Sequence, residues 1–246
     1  MDVVPGVEAL RPEQGPIFAV IGVFDGLHRG HAYLLDHLVK EARARGARPT
    51  VITFDHHPDE VLTGSAPPLL LDPDERLERL DAAGVEVTVV QHFDEALRRT
   101  TYDAFIDTIR RGTALAGLLM TPDAAFGFER RGTADAVTEL GQARGFDVVV
   151  VPPYTIDGAP VSSSAIRTAI QDGDLVEAQR LLGRPVGLRG AVDDGRMTFD
   201  LPMATPPDGV YPCQIVGRAG TLTVHDGTIW VEAVPVEGPV RVELMT

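Results

Sequence analysis

Residues 17–31 read IFAVIGVFDGLHRGH, and this stretch decides the fold class. The run 17–21 is apolar throughout and has the length of a strand, which Gly22 extends toward Phe24. A turn rich in glycine follows it. From residue 31 to residue 45, apolar side chains recur on one helical face, and Gly46 supplies a stop signal. A strand, a turn and an amphipathic helix in this order predict the first part of an α/β domain.

The same alternation continues to residue 151. Four further strands are predicted, at residues 50–54, 85–90, 114–120 and 148–151. The helices between them begin near Pro73, Thr101 and Thr133. Most of these strands are continuous apolar runs, which is typical of parallel strands covered by helices on both faces. We therefore predict a doubly wound, Rossmann-like α/β fold with a five-stranded parallel sheet, followed by helices over residues 162–171 and 174–182.

The character of the sequence changes after residue 185. Glycine and proline become dense, helical periodicity ends, and short β runs remain at residues 209–211, 221–224, 228–234 and 240–244. His225, Asp226 and Gly227 between two of these runs form a hairpin-turn signal. We predict two domains, an α/β domain over residues 1–185 and a small all-β domain over residues 186–246.

Composition excludes several classes of protein. The chain has 246 residues and a formal net charge of −14, which disfavours a general binder of nucleic acid or of anionic membranes. A single cysteine, Cys213, excludes an internal disulfide and a cysteine-based metal cluster and fits a cytoplasmic protein. No apolar stretch is long enough to span a membrane, and the N-terminus has no signal-peptide pattern, so we expect no membrane partner.

The turn after the first strand is the strongest candidate site. Ligands of open α/β sheets bind beyond the carboxyl ends of the strands, and a helix N-terminus attracts anions. His28 and His31 both offer hydrogen bonds to a phosphate group there, and Gly26 and Gly30 let the backbone approach a ligand. The alternatives are ordinary turn glycines with surface histidines, or a metal site, which a histidine pair without a third ligand fits poorly.

Three other stretches are weaker candidates for functional sites. Residues 161–167 place three serines and Arg167 at a helix start, where they either hold phosphate or form a plain serine cap. Asp123 follows the fourth strand and either meets a ligand or makes a turn. Residues 55–58 end the second strand with polar groups, and taken alone they are loop residues.

Taken together, these stretches resemble the nucleotidyltransferase module of prokaryotic bifunctional riboflavin kinase/FAD synthetases. That family carries G-x-F-D-G-x-H-x-G-H, which is complete here at residues 22–31. Its T-F-x-P-H-P stretch matches residues 53–58 except that His56 replaces the first proline. Its I-S-S-T-x-I-R element matches residues 161–167 with mild changes, and its G-D to L-L-G-R-P run matches residues 173–185. The resemblance covers about residues 17 to 185.

The resemblance implies transfer of AMP from ATP to FMN, giving FAD and pyrophosphate, with Mg²⁺ expected to accompany the ATP. It implies that His28, His31 and Arg167 are catalytic. The residues implied to bind nucleotide are Gly22, Phe24, Asp25, Gly30, Asp123, Ser162, Ser163 and Ser164. The residues implied to bind flavin are His57, Pro58 and Phe126. No protein ligand for a metal is identifiable, and the oligomeric state is left open, a homo-oligomer included.

Two departures from the family pattern bear on function. The flavin-side stretch of the family reads G-x-D-F-x-F-G, whereas Thr121 and Ala124 stand here in place of the glycine and the first phenylalanine. The P-T-A-N signature of the kinase is missing, since residues 199–204 read FDLPMA. We therefore expect no riboflavin kinase activity and a degenerate tail too short for the complete kinase barrel. Transfer to another phosphorylated acceptor, or binding of nucleotide or flavin without turnover, remain the alternatives.

Overall fold

The computed structural model describes residues 1–232 and 238–246. Its helices are α1 (Arg29–Ala44), α2 (Pro58–Thr63), α3 (Pro73–Ala82), α4 (Glu95–Arg98), α5 (Tyr102–Gly112), α6 (Ala134–Arg144), α7 (Ser163–Gln171) and α8 (Leu175–Leu182). Its first ten strands are β1 (Asp2–Val4), β2 (Ile17–Ile21), β3 (Arg48–Phe54), β4 (Val87–Gln91), β5 (Leu115–Met120), β6 (Ala125–Phe126), β7 (Gly132–Thr133), β8 (Asp147–Val150), β9 (Thr155–Ile156) and β10 (Ala159–Pro160). The remaining strands are β11 (Gly187–Asp193), β12 (Arg196–Thr198), β13 (Gly209–Ile215), β14 (Arg218–His225), β15 (Thr228–Glu232) and β16 (Gly238–Leu244).

The described residues form two compact units. The first comprises residues 1–24, 31–67 and 77–154, and the second comprises residues 25–30, 68–76 and 155–246. The domain boundary that we predicted at residue 185 lies within the second of these units, between α8 and β11. This boundary stays a prediction. Within the described ranges, no helix combines the length and the apolar character that crossing a membrane requires.

The first unit contains the parallel sheet. Among the described residues its six strands lie in the order β1–β4–β3–β2–β5–β8, and every neighbouring pair is parallel. From β2 the chain adds β3 and β4 on one side and β5 and β8 on the other, which is the doubly wound arrangement predicted. The point between β2 and β5, where the direction reverses, is the place at which such sheets bind ligands.

The five predicted strands are confirmed, but the predicted strand number is wrong by one. Residues 2–4 add a further parallel strand beside β4, with Val3 paired to Thr88. A strand of three residues is too short to show a recognisable pattern of apolar residues in the sequence. The core of this unit packs α5 through Phe105, Ile106 and Ile109 onto the strands, and both isoleucines are fully buried.

The second unit contains a closed antiparallel barrel. Its strands follow the order β11–β12–β15–β14–β13–β16, and β16 closes the barrel by pairing with β11. The tail thus closes a barrel, although we expected it to be too short for the complete barrel of the kinase. The predicted strand at residues 228–234 is found as far as Glu232, and its last two residues lie outside the described ranges.

Tight turns make this short barrel feasible. Three hairpins turn on two residues that both have positive φ: Asp194-Gly195, Val216-Gly217 and Asp226-Gly227. This is the type I′ geometry, whose twist matches that of the flanking strands. The predicted hairpin turn at residues 225–227 is confirmed in this form.

Candidate active site

The loop that joins β2 to α1 has a strained backbone. Phe24 has φ 53° and Leu27 has φ 38°, both in the left-handed region. Such conformations cost about 1–3 kcal/mol each in residues other than glycine, and they persist when surrounding contacts hold them. Gly26 has φ 82°, and a Cβ there would approach Leu70 Cδ1 to 2.8 Å. The positive φ favours glycine at position 26, and the close approach of the Leu70 side chain adds to that preference.

Asp25 is the centre of the contacts that hold this loop. Its side chain is buried, with Oδ1 accepting a hydrogen bond from the Leu70 backbone N–H at 2.9 Å. Its Oδ2 accepts one from Arg167 Nη2 at 2.7 Å. The Asp25 carbonyl oxygen accepts a hydrogen bond from the Ser163 hydroxyl at 2.9 Å. Asp25 therefore accepts hydrogen bonds from distant parts of the chain at both carboxylate oxygens and at its backbone carbonyl.

Arg184 holds the next two residues of the loop. Its Nη2 donates to the Gly26 carbonyl at 2.5 Å and its Nη1 donates to the Leu27 carbonyl at 3.1 Å. In the sequence Arg184 is part of the L-L-G-R-P run, and its contact with the loop was not predicted. Because about 157 residues separate the partners, no local pattern could have indicated it. The loop and the end of α8 are thus joined by a forked, charge-assisted contact.

Arg167 has a different setting from the one predicted. We expected it to hold phosphate, whereas its guanidinium is buried, pairs with Asp25 and donates from Nε to the Pro68 carbonyl at 2.9 Å. A fixed buried ion pair of this kind holds the loop in shape. Its predicted contact with ATP stays a prediction.

The two histidines of the loop differ in burial. His28 immediately precedes α1 and is 4% exposed. Burial, and to a smaller degree the charge of Arg184, lower its pKa to about 4. His28 is therefore a neutral imidazole at pH 7, which donates one hydrogen bond and carries no charge. His31 is the third residue of α1 and is half-buried, with its ring centroid 5.1 Å from that of Phe24.

A side chain in place of Gly30 would be crowded at the helix start. A Cβ on Gly30 would lie 3.1 Å from the His28 ring and 3.4 Å from the Val161 carbonyl oxygen. The first backbone N–H groups of α1 have no partner within the helix, and they and the positive end of the helix dipole favour an anion. The arrangement suits a phosphate group better than a metal ion.

The serine-rich element caps α7. Ser162 is the N-cap residue, and its hydroxyl accepts a hydrogen bond from the Ala165 N–H at 3.2 Å. Ser163 donates to the Asp25 carbonyl, and Ser164 is exposed in the first turn. The sequence left two interpretations of these serines open, a helix cap and a phosphate site. The structure shows the helix cap.

An aromatic cavity of about 550 Å³ opens at the carboxyl ends of β2 and β3, within the first unit. Its lining includes five of the nine phenylalanines, Phe54, Phe93, Phe105, Phe126 and Phe128. Two pairs among them meet edge to face, at ring-centroid distances of 5.3 Å for Phe54–Phe93 and 6.2 Å for Phe105–Phe126. The size and lining are those of a site for a small organic ligand.

The structure brings several predicted residues together in this cavity. All three predicted flavin residues, His57, Pro58 and Phe126, line it, as does Gly22. The His57 ring also fixes the start of α2, because its Nδ1 accepts the Asp59 N–H at 3.2 Å. Asp123 is exposed in the turn after β5. Phe54, the last residue of β3, and Phe93, two residues after the end of β4, were not predicted as site residues.

The two residues that depart from the family pattern lie beside the same small cavity. Thr121 and Ala124 both line a smaller cavity of about 80 Å³ between the ends of β2 and β5. Val20, Leu34 and Met120 are among its other walls. A phenylalanine at position 124 would carry a bulk that alanine lacks. Alanine at position 124 therefore accounts for part of this space, whereas threonine in place of glycine adds bulk at position 121.

Comparison with known proteins identifies the family. The FAD synthetase family matches residues 10–165 of the chain. The chain belongs to the FAD synthetase family. The bifunctional riboflavin kinase/FMN adenylyltransferase of Escherichia coli K12 is 32% identical over 232 residues, covering 88% of this chain and 74% of that protein. The protein of the same name from Pseudomonas fluorescens is 34% identical over 197 residues, covering 80% of this chain and 63% of that protein.

A solved structure is similar over nearly the whole chain. A crystal structure of a macrolide-efflux protein from Streptococcus pneumoniae has a TM-score of 0.84 and 25% sequence identity. The similarity covers 99% of this chain and 88% of that chain. The FAD synthetase family member described here therefore shares its fold, barrel included, with a known structure.

Proposed function

We propose that the chain is an FMN adenylyltransferase that transfers AMP from ATP to FMN and has no riboflavin kinase activity. The aromatic cavity beside the switch point of the sheet is the observation that carries this proposal. An isoalloxazine ring is flat and has an apolar dimethylbenzene part, and phenylalanine side chains such as Phe54 and Phe126 can contact aromatic rings by stacking or edge contacts. Membership of the FAD synthetase family supports ATP as the donor of the adenylyl group.

The proposed reaction is an in-line displacement at the α-phosphorus of ATP. A phosphate oxygen of FMN forms the new P–O bond, the bond to the β-phosphate oxygen breaks, and pyrophosphate leaves with that electron pair. The work of the protein is positioning and charge stabilisation, and no side chain is covalently modified. His31 and the first amides of α1 would donate to the transferring phosphate, and the neutral His28 would add one hydrogen bond.

Asp25 and Arg167 would contribute to the reaction indirectly, by holding the loop between β2 and α1 in its conformation. Their ion pair holds the loop whose strained residues place His28 ahead of α1. We propose them as positioning residues, with the serines of α7 near the ATP phosphates. Gly22 and Phe24 would shape the adenosine side.

Mg²⁺ is proposed to enter with ATP. Asp25 is the carboxylate of residues 22–31, and both of its oxygens already accept hydrogen bonds from protein donors. A metal ion bound mainly by the triphosphate therefore fits this loop better than a metal ion bound by several carboxylates of the protein. When bound, Mg²⁺ would screen the phosphate charges.

The barrel is proposed to be a remnant without kinase activity, as the second of two domains divided near residue 185. The stretch at the place of the kinase signature is held by backbone contacts: Leu69 N–H donates to the Pro202 carbonyl and Ala204 N–H donates to the Leu69 carbonyl, both at 2.8 Å. A cytoplasmic location is proposed from the single cysteine, which is buried in β13.

The smaller cavity beside Thr121 and Ala124 favours one competing function, transfer to a different phosphorylated acceptor. An acceptor screen separates the two. Pyrophosphate release is measured with ATP or CTP and with FMN, pantetheine phosphate, glycerol phosphate or nicotinamide mononucleotide. We expect release with ATP and FMN alone. Release with another acceptor but none with FMN would establish the competing function, and tight binding of ATP and FMN by calorimetry without release would establish a binding protein.

A further inference from the structure

A second polar cluster lies at the ends of β3 and β4, within the first unit. Asp55, His56 and His92 each offer one ligand atom, and these atoms all lie within 4.8 Å of one another. Asp55 is half-buried, and both histidines are exposed. The proposed transferase reaction uses none of the three.

Backbone contacts fix the Asp55 carboxylate. Its Oδ1 accepts hydrogen bonds from the backbone N–H groups of His56 at 2.8 Å and Phe93 at 3.2 Å. Its Oδ2 faces the two imidazoles, 2.6 Å from His92 Nδ1 and 3.9 Å from His56 Nε2. One oxygen is thus held by the main chain while the other is presented to both rings.

A further carboxylate faces the outer side of the cluster. Glu60 Oε2, on α2, lies 3.5 Å from His56 Nδ1, the ring nitrogen that points away from Asp55. Metal-binding histidines commonly have a carboxylate on their second nitrogen, which fixes the tautomer and orients the ring. The two rings are nearly perpendicular, with an interplanar angle of 76° and centroids 5.9 Å apart.

We propose that Asp55 Oδ2, His56 Nε2 and His92 Nδ1 bind a divalent transition-metal ion of the Zn²⁺ class. Two imidazoles and one carboxylate are a donor set that Zn²⁺ prefers, with water in the fourth position. Ligands bound at about 2.0–2.1 Å in tetrahedral geometry lie roughly 3.3 Å apart, so small rotations of exposed rings would suffice. The metal would replace the hydrogen bond between His92 Nδ1 and Asp55 Oδ2.

The site is a property of this chain. Its ligand His56 stands where the family pattern has proline, and proline cannot bind a metal through its side chain. The net charge of −14 also favours a cation at an exposed site. A second exposed cluster, Asp208, His225 and Asp226 in the barrel, has a single imidazole and provides an internal control.

The test is a calorimetric titration of the full chain with Zn²⁺, without nucleotide and after treatment with a chelator. His92→Ala and His56→Ala are compared with the control His225→Ala. Thermal unfolding without metal checks that each variant is folded, which we expect because all three side chains are exposed.

We expect wild type and His225→Ala to bind one equivalent of Zn²⁺ that each of the other two variants binds about 10–100-fold more weakly. The wild type should also unfold at a higher temperature with Zn²⁺ than without, and His92→Ala should lose that shift. The proposal is overturned if the wild type binds no Zn²⁺ at micromolar concentrations. It is equally overturned if His92→Ala and His56→Ala bind as the wild type does.

Discussion

Two loops that follow neighbouring parallel strands treat their ionisable groups in opposite ways. The loop after β2 buries Asp25 and His28, and arginines far along the chain hold the Asp25 carboxylate and the backbone carbonyls of Gly26 and Leu27. The loop after β3 leaves His56 exposed and connects Asp55 to His92, which is also exposed. In the first loop polar groups fix one backbone shape, and in the second they present donor atoms to solvent. Position at the end of a strand therefore does not determine the use of a polar side chain; burial and partners do.

The largest expected effect tests the buried ion pair of the first loop. Arg167→Met leaves the Asp25 carboxylate buried without its charged partner, and we expect a loss of about 3–5 kcal/mol in the free energy of unfolding. Chemical denaturation measures it. The matched control is Arg180→Met, which breaks ion pairs exposed to solvent and should change stability little. Equal losses in the two variants would contradict a special role for the buried pair.

The next effect concerns catalysis by the first loop. His31→Ala should lower kcat for FAD formation by about 10²–10³-fold, which corresponds to the roughly 2.7–4 kcal/mol that one donor to a developing oxyanion contributes. The unfolding midpoint should stay near that of the wild type. His37→Ala, two turns further along α1, is the control and should keep its turnover. Unchanged turnover in His31→Ala would remove this residue from the catalytic machinery.

The third effect is a dependence of stability on pH. The pKa of His28 is near 4 in the folded chain and about 6.5 when unfolded, so the unfolded chain binds more protons between these values. Stability should therefore fall as the pH drops from 6.5 to 4, by about 3 kcal/mol from this residue. Denaturation curves of the wild type and His28→Gln check it. A slope that His28→Gln leaves unchanged would show that His28 is not buried as described.

The smallest effect has the opposite sign and belongs to the second loop. The hydrogen bond and charge of Asp55 raise the pKa of His92, so this pair stabilises the fold below the ordinary pKa of histidine and loses its effect as the pH rises. In metal-free protein, His92→Gln should leave stability at pH 8 unchanged and lower it slightly at pH 5.5. A large loss at pH 8 would show that the second loop is as structural as the first.

The same contrast explains what could be predicted from sequence. Continuous apolar runs and caps are local, so β2, α7 and the hairpin turn at Asp226-Gly227 were predicted close to their observed positions. The short strand β1 lacks a period, and it was missed. Candidate site residues that are adjacent in sequence form recognisable motifs, whereas the hydrogen bonds from Arg184 and Leu70 to the first loop join distant segments. The convergence of Phe93 with Phe54 likewise depends on the pairing of β3 with β4.

Conversion of FMN to FAD by the purified chain is the direct test of the proposed function. The purified chain is incubated with ATP, Mg²⁺ and either FMN or riboflavin, and the flavins are separated by chromatography. We predict that FMN is converted to FAD while riboflavin stays unchanged. Absence of FAD from the FMN reaction would contradict the assignment of the aromatic cavity to FMN, and FMN formed from riboflavin would contradict the interpretation of the barrel as a remnant without kinase activity.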